Sequence, residues 1–106
     1  MAYIKVKSGV QPRNIYIMAA IANVVQGLQE PVDVTITSAC DSCHMQGSKH
    51  YTMEALDVRT KNFPNAAAKQ AFITAVLTRL GSGYQGFLEA EGTLNEHAHF
   101  EKQDVD

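Results

Sequence analysis

The stretch Ser48-Lys-His-Tyr-Thr-Met-Glu-Ala-Leu-Asp-Val-Arg59 contains the pattern that indicates the fold. Its second half, residues 54–59, alternates in polarity, which is typical of a half-buried β-strand. The alternation puts one set of side chains on one strand face, namely Ala55, Asp57 and Arg59, and Leu56 and Val58 on the other. An aspartate in mid-strand is costly to bury unless a partner satisfies it, and a metal ion is one such partner.

Histidines accompany Asp57 at a spacing that suits metal binding. His50 precedes it by seven positions, and the run Asn95-Glu-His-Ala-His-Phe-Glu101 supplies His97 and His99. On a strand, His97, His99 and Glu101 share one face. Catalytic zinc sites often take two ligands from one segment and a third from a distant strand, and keep one position for water. The sequence therefore predicts a metal site on the face of a sheet.

Two helices and further strands are predicted around this stretch. The first helix begins near Pro12, ends at Gly27 and has an apolar face made of Ile15, Met18, Ala19, Ala22 and Val25. The second begins after Asn65 as N-cap, ends at Gly81 and buries Phe72, Val76 and Leu80, flanked by Ile73 and Leu77. Strands are predicted over residues 32–37, 84–90 and 96–101, with a short strand or arm at 3–7 and a long loop at 38–49.

These elements predict a single α+β domain over residues 1–106, with a small, mostly antiparallel sheet, two main helices and the zinc site on the sheet face. A formal net charge of −2 argues against a dedicated nucleic-acid binder. No apolar run approaches the ~20 residues that span a bilayer, so we expect no membrane insertion. The first seven residues lack the apolar core of a signal peptide.

The pieces together resemble a known family. Ser48-x-His50, Ala55-x-Asp57, Glu96-x-x-His99 and His97-x-His99 resemble the zinc peptidase superfamily of D-Ala-D-Ala carboxypeptidases, phage L-alanyl-D-glutamate endopeptidases and the hedgehog signalling domain. Thr37-Ser38, at the end of a predicted strand, resembles the stretch upstream of that family's site. The likeness covers roughly residues 12 to 101, and the combination is more specific than any single piece.

The resemblance implies one Zn²⁺ held by His50, Asp57 and His99. It offers two candidates for the general base: Glu96, as in the carboxypeptidases, and His97, as in murein endopeptidases and hedgehog. Strand parity puts His97, and not Glu96, on the ligand face, while the resemblance favours Glu96 as base with His97 polarising the scissile carbonyl. Ser48, Tyr51 and Arg59 are candidate substrate-binding residues, and Arg59 could instead orient Asp57.

Two departures from the family pattern stand out. Met53 occupies a position that is usually glycine, so the backbone there must differ if that glycine serves a special angle. The upstream arginine of the carboxypeptidase branch has no counterpart in residues 38–41. Both departures favour a non-catalytic, zinc-stabilised binding domain of the hedgehog type as the alternative function.

The predicted function is hydrolysis of an amide bond in bacterial peptidoglycan stem peptides or cross-links, as in phage lysis proteins. We expect the chain to be made in the host cytoplasm without a signal peptide and to act at the cell wall, after release through a separate pore or as part of a virion. A third hypothesis is a c-type haem protein, because Cys40-Asp-Ser-Cys43-His44 matches the motif for covalent haem attachment.

Overall fold

The computed structural model describes residues 3–7, 10, 14–38 and 55–102. Several residues named above lie outside these ranges, and what was predicted for them stays a prediction: Pro12, Cys40, Cys43, His44, Ser48, His50, Tyr51 and Met53. The elements in chain order are β1 (Ile4–Val6), α1 (Ile15–Gln26), β2 (Val34–Ser38), β3 (Ala55–Arg59), α2 (Ala66–Leu80), β4 (Tyr84–Glu89) and β5 (His97–Lys102).

The strands form one sheet in the order β1-β2-β3-β5-β4. Among the described strands, β1 pairs with β2 in parallel, and the pairs β2–β3, β3–β5 and β5–β4 are antiparallel. The central strand pair is in register so that Asp57 lies opposite His99 and Arg59 opposite His97. Two helices and a mostly antiparallel sheet confirm the predicted α+β fold.

The hydrophobic core lies between the two helices and one face of the sheet. Leu56 and Val58 of β3 and Ala98 and Phe100 of β5 are all fully buried on that face. Because neighbouring residues of a strand point to opposite faces, Asp57, His97 and His99 lie on the face that the helices leave open. The alternation predicted from the sequence is confirmed for both strands.

The apolar face predicted for α1 is wrong. Helix α1 buries Ile17, Ala20, Ile21, Val24 and Val25, while Ile15 is 66% exposed. Only Val25 belongs to both sets. The helix is apolar nearly all round, so the three- and four-residue spacing fits two different stripes, and contact with α2 and β3 decides between them. The end of α1 at Gly27 is confirmed.

Helix α2 follows the sequence prediction closely. The Asn65 side chain accepts a hydrogen bond of 2.8 Å from the Ala68 N–H, as an N-cap does. The helix ends at Gly81, whose φ of 85° is a conformation that other residues rarely adopt. Its buried residues are Phe72, Ile73, Val76 and Leu80. None of the helices among the described residues is long and apolar enough to cross a membrane.

Gly86 is required by the ring of Phe100 on the neighbouring strand. Gly86 lies opposite Phe100, and a Cβ atom at position 86 would be 2.6 Å from Phe100 Cδ1. We therefore expect Gly86→Ala to lower the free energy of unfolding by about 1–3 kcal/mol, a cost typical of overpacking. Urea denaturation followed by circular dichroism measures this change.

Gly27→Ala is the matched control for that substitution. Gly27 has a negative φ of −92°, and an added Cβ would be no closer than 3.5 Å to any neighbouring atom. Alanine at such a position restricts the unfolded chain, so we expect stability to stay the same or to rise by up to about 1 kcal/mol. Equal losses for the two variants would contradict the packing role assigned to Gly86.

Candidate metal centre

Ionisable side chains from three adjacent strands meet on the open face of the sheet. Asp57 comes from β3, His97 and His99 from β5, and Glu89 from the last residue of β4. The hairpin places Glu89 opposite His97, and the β3–β5 pairing places Asp57 opposite His99. Alternation along each strand therefore brings four potential metal ligands to one patch, although they are up to 42 residues apart in sequence.

Asp57, Glu89 and His97 form a group that could hold a metal ion, and these three residues are called the metal group below. One potential ligand atom from each lies within 4.8 Å of the others. His97 Nε2 is 3.0 Å from Glu89 Oε1 and 3.6 Å from Asp57 Oδ2. A tetrahedral ion with bonds of about 2 Å separates its ligands by roughly 3.3 Å. These three atoms can therefore converge on one ion with little movement.

The backbone orients the His97 ring for this role. Its Nδ1–H donates a hydrogen bond of 2.7 Å to the carbonyl oxygen of Asn95. Nε2 then faces the two carboxylates. Metal-binding histidines commonly donate their other ring N–H to a carbonyl in this way. Burial lowers the pKa of His97, but the Asn95 carbonyl and the charges of Asp57 and Glu89 outweigh burial and raise it.

His99 lies beside this group, held between two carboxylates. Its Nδ1 is 2.8 Å from Asp57 Oδ1, and its Nε2 is 2.6 Å from Glu101 Oε1. Gln85 donates a short hydrogen bond to the other oxygen of Glu101. Burial lowers the pKa of His99, but the bonds to Asp57 and Glu101 outweigh it and raise the pKa to about 9. Without a metal, His99 is therefore a cation at neutral pH.

The Glu96 carboxylate is bonded on the opposite, helix-covered side of the sheet. Oε1 is 2.6 Å from Lys69 Nζ and accepts a 2.7 Å hydrogen bond from the Thr60 hydroxyl. Oε2 accepts a 3.1 Å hydrogen bond from the Gly92 N–H. These donors, with Lys69 the strongest, lower the pKa of Glu96 to about 2. The parity argument, which put His97 and not Glu96 on the ligand face, agrees with this arrangement.

Arg59 lies next to the metal group and faces solvent. It is exposed, and no carboxylate within the described part of the chain pairs with it. A polar cavity of about 230 Å³ is lined by Thr37, Asp57, Arg59, Leu94, Asn95, Glu96 and His97. This cavity can hold a small polar group between the guanidinium and the possible metal ligands.

The structure brings together only part of the predicted site. Asp57, His97 and His99 meet, and Arg59 borders them. The ligand position of His50 and the substrate positions of Ser48 and Tyr51 lie outside the described residues. Sequence reasoning missed Glu89. A signal was available, because a hairpin turning near Gly92-Thr93 pairs the end of the first strand with the start of the second.

The shifted pKa values of His99 and Glu96 predict how the stability of the protein depends on pH once a chelator has removed any metal. The folded pKa of His99 is raised from 6.5 to about 9, so its contribution is full below pH 6.5 and is lost between 6.5 and 9. The folded pKa of Glu96 is lowered from 4.5 to about 2, so its contribution is full above pH 4.5 and is lost below it. We expect the free energy of unfolding, measured with urea, to be highest between these windows.

His99→Gln separates the two contributions. A neutral glutamine does not titrate, so the loss of stability above pH 6.5 should shrink in this variant. The loss at acid pH should remain, because Glu96 is untouched. A wild-type protein that gains stability between pH 6.5 and 9 would contradict the raised pKa of His99.

Comparisons with known proteins add no relative to this description. The chain was compared with protein-family models, with curated proteins and with solved structures, and no match was found in any of the three comparisons.

Proposed function

We propose that this chain is a zinc-dependent peptidase that hydrolyses an amide bond in the stem peptides or cross-links of bacterial peptidoglycan. The observation that carries the proposal is the convergence of Asp57, Glu89 and His97, with His99 beside them, on an open sheet face. The substrate class comes from the resemblance of the sequence motifs. The same resemblance supports action at the cell wall as a phage lysis protein.

The donor set suits a zinc ion. An imidazole nitrogen and two carboxylates are ligand types that Zn²⁺ accepts, and three protein ligands leave a fourth position for water or substrate. When bound, the ion supplies Lewis acidity that lowers the pKa of a water molecule to about 7. Asp57 belongs both to the group in the structure and to the ligand set that the resemblance implies, so it is the ligand on which both versions depend.

Proton transfer in hydrolysis requires a base near neutral pKa. The base takes a proton from water as oxygen bonds to the carbonyl carbon, and returns it to the nitrogen as the C–N bond breaks. Glu96 suits this role poorly, because a carboxylate with a pKa of about 2 and three donors holds a proton weakly. In the ligand set that the resemblance implies, neither His97 nor Glu89 binds the ion, and His97 on the open face is then the better candidate for the base.

Arg59 is the candidate for holding a substrate carboxylate. Its guanidinium has no carboxylate partner among the described residues, and it borders the same cavity as Asp57 and His97. Guanidinium groups bind carboxylates through paired hydrogen bonds. Peptidoglycan stem peptides carry free carboxylates, so this residue would orient the peptide beside the metal.

A zinc assay combined with wall digestion tests the proposal. The purified protein should contain about one equivalent of zinc and should release new amino groups from purified cell wall, and a chelator should abolish the release. Protein that folds normally and binds no zinc would refute the metal site. Bound zinc without cleavage of any wall preparation would refute the peptidase and retain the metal site.

Two substitutions distinguish the possible ligand sets. Glu89→Gln should weaken zinc binding if the group in the structure holds the ion, whereas His50→Ala should weaken it if the set implied by the resemblance does. Losing one ligand removes a strong bond, so the affected variant should lose affinity by about 100-fold or more. Loss in both variants would mean that both residues contribute.

The engagement of Glu96 favours a second candidate function, a zinc-stabilised binding domain. With Glu96 engaged, the His97-x-His99 pattern remains, which the resemblance gives to murein endopeptidases and also to the hedgehog type, where a similar metal site serves recognition. This function predicts zinc binding and a higher melting temperature with zinc, but no release of amino groups from cell wall. The haem hypothesis has a separate test, because it requires a Soret absorption band.

A further inference from the structure

The turn between β4 and β5, residues 90–96, connects two residues of the metal group. Glu89 is the last residue of β4 and His97 the first of β5. Within the turn, the Thr93 N–H donates to the Ala90 carbonyl and the Glu96 N–H to the Thr93 carbonyl. These local bonds shape the turn. They do not attach it to the rest of the domain.

Among the described residues, Glu96 makes the side-chain bonds that attach this turn to the rest of the domain. Residues 90–95 are all exposed, and Leu94 is 101% exposed, whereas Glu96 is only 6% exposed. Its carboxylate bonds to Thr60, which directly follows β3, and to Lys69 of α2. The same carboxylate accepts the Gly92 N–H from within the turn. One side chain therefore ties the turn to both the strand and the helix.

The position of this attachment matters for the metal group. Glu96 lies between Asn95, whose carbonyl orients the His97 ring, and His97 itself. Thr60 lies three residues after Asp57 and directly follows β3, the strand that carries that ligand. The Glu96 bonds thus couple the backbone that bears Asp57 to the backbone that bears His97. Small shifts in ligand placement weaken metal binding, because the ligand atoms must converge within a few tenths of an ångström.

We propose that Glu96, paired with Lys69, is a positioning residue that holds the turn so that Glu89 and His97 converge with Asp57 on one ion. The inference rests on the metal site in the proposed function. It differs from the role implied by the family resemblance, in which the glutamate transfers protons. A positioning role predicts lower metal affinity when the pair is broken, whereas a base role predicts unchanged affinity with lost turnover.

The test removes Lys69, which lies on α2 away from the metal face. Lys69→Met should weaken Co²⁺ binding by about 10-fold or more, measured by the visible absorption of the bound ion. Lys69→Arg should restore most of the affinity, because it keeps a donor for Glu96. Glu96→Gln should also weaken binding. Lys61→Met is the control. Lys61 is exposed and lies two residues after β3, so this substitution removes the same positive charge close to the strand that carries Asp57.

A second measurement does not require metal. In chelator-treated Lys69→Met, the amides of residues 90–97 should exchange hydrogen faster than in the wild-type protein, relative to amides of the core strands. Thr60→Val, which removes one hydroxyl and keeps the side-chain shape, should give a smaller change of the same kind. It covers the case in which Lys69→Met does not fold.

The outcomes separate this inference from the proposed function. A wild-type protein that binds neither Co²⁺ nor Zn²⁺ refutes the metal site, and with it the positioning of ligands, while the exchange measurement still shows whether Glu96 holds the turn. Normal affinity in Lys69→Met or Glu96→Gln refutes positioning, whether or not exchange changes. Weaker binding with faster exchange in both variants, restored by Lys69→Arg, supports it.

Discussion

Asp57→Asn should abolish the zinc-dependent peptidase activity that we propose for this protein. The substitution keeps the shape of the side chain, and the amide oxygen can still accept the bond that His99 Nδ1 makes at 2.8 Å. It removes the negative charge and replaces Oδ2, the oxygen 3.6 Å from His97 Nε2, by an amide nitrogen. We expect the affinity for zinc to fall by at least ~100-fold. The proposed release of amino groups from cell wall should fall by about 1000-fold, since a bound ion would lower the barrier to hydrolysis by several kcal/mol.

The control is Glu91→Gln, which removes an exposed carboxylate from the neighbouring turn and leaves the metal group intact. It should retain the zinc affinity and activity of the wild-type protein. Zinc affinity is measured by competition with a chromophoric chelator, and folding by circular dichroism. A folded Asp57→Asn protein with wild-type zinc affinity would exclude both ligand sets at once, because Asp57 belongs to each.

The predictable part of the fold followed from local patterns. Alternation over residues 54–59 placed Asp57 and Leu56 on opposite faces, and the structure has them there. The N-cap at Asn65 and the stop at Gly81 depend on backbone chemistry within a few residues, so one sequence suffices to find them. Predictions that rest on neighbours in sequence were therefore reliable.

Predictions that depend on distant contacts were less reliable. Helix α1 offers two apolar stripes, and only its packing against the rest of the domain shows that Ile17 and Ile21 face inward while Ile15 faces out. Glu89 joins the site only through the register of the hairpin. The family resemblance made Glu96 a candidate base. In the structure its carboxylate is bonded to Lys69 and Thr60, which are 27 and 36 positions away in sequence. No local pattern reveals such partners.

The strands that carry the site also depend on the core beneath them. We expect Phe100→Ala to lower the free energy of unfolding more than Gly86→Ala or Phe87→Ala does. Phe100 is fully buried on β5 between His99 and Glu101. Its ring packs edge-on against Phe72, with centroids 6.0 Å apart, and fills the space above Gly86. Truncation to alanine removes this packing and leaves a cavity, at a cost of about 3–5 kcal/mol. Small domains are stable by only about 5–15 kcal/mol, so the variant should be largely unfolded in mild denaturant.

Phe87→Ala is the matched control, because it removes the same ring from the adjacent strand on the open face. Phe87 is 41% exposed and lies against His99 with ring centroids 5.2 Å apart. We expect it to cost about 1 kcal/mol or less, since little buried surface is lost. Urea denaturation of both variants in chelator separates core packing from metal binding. A Phe100→Ala protein as stable as Phe87→Ala would mean that the face of β5 opposite the histidines is not the face that holds the domain together.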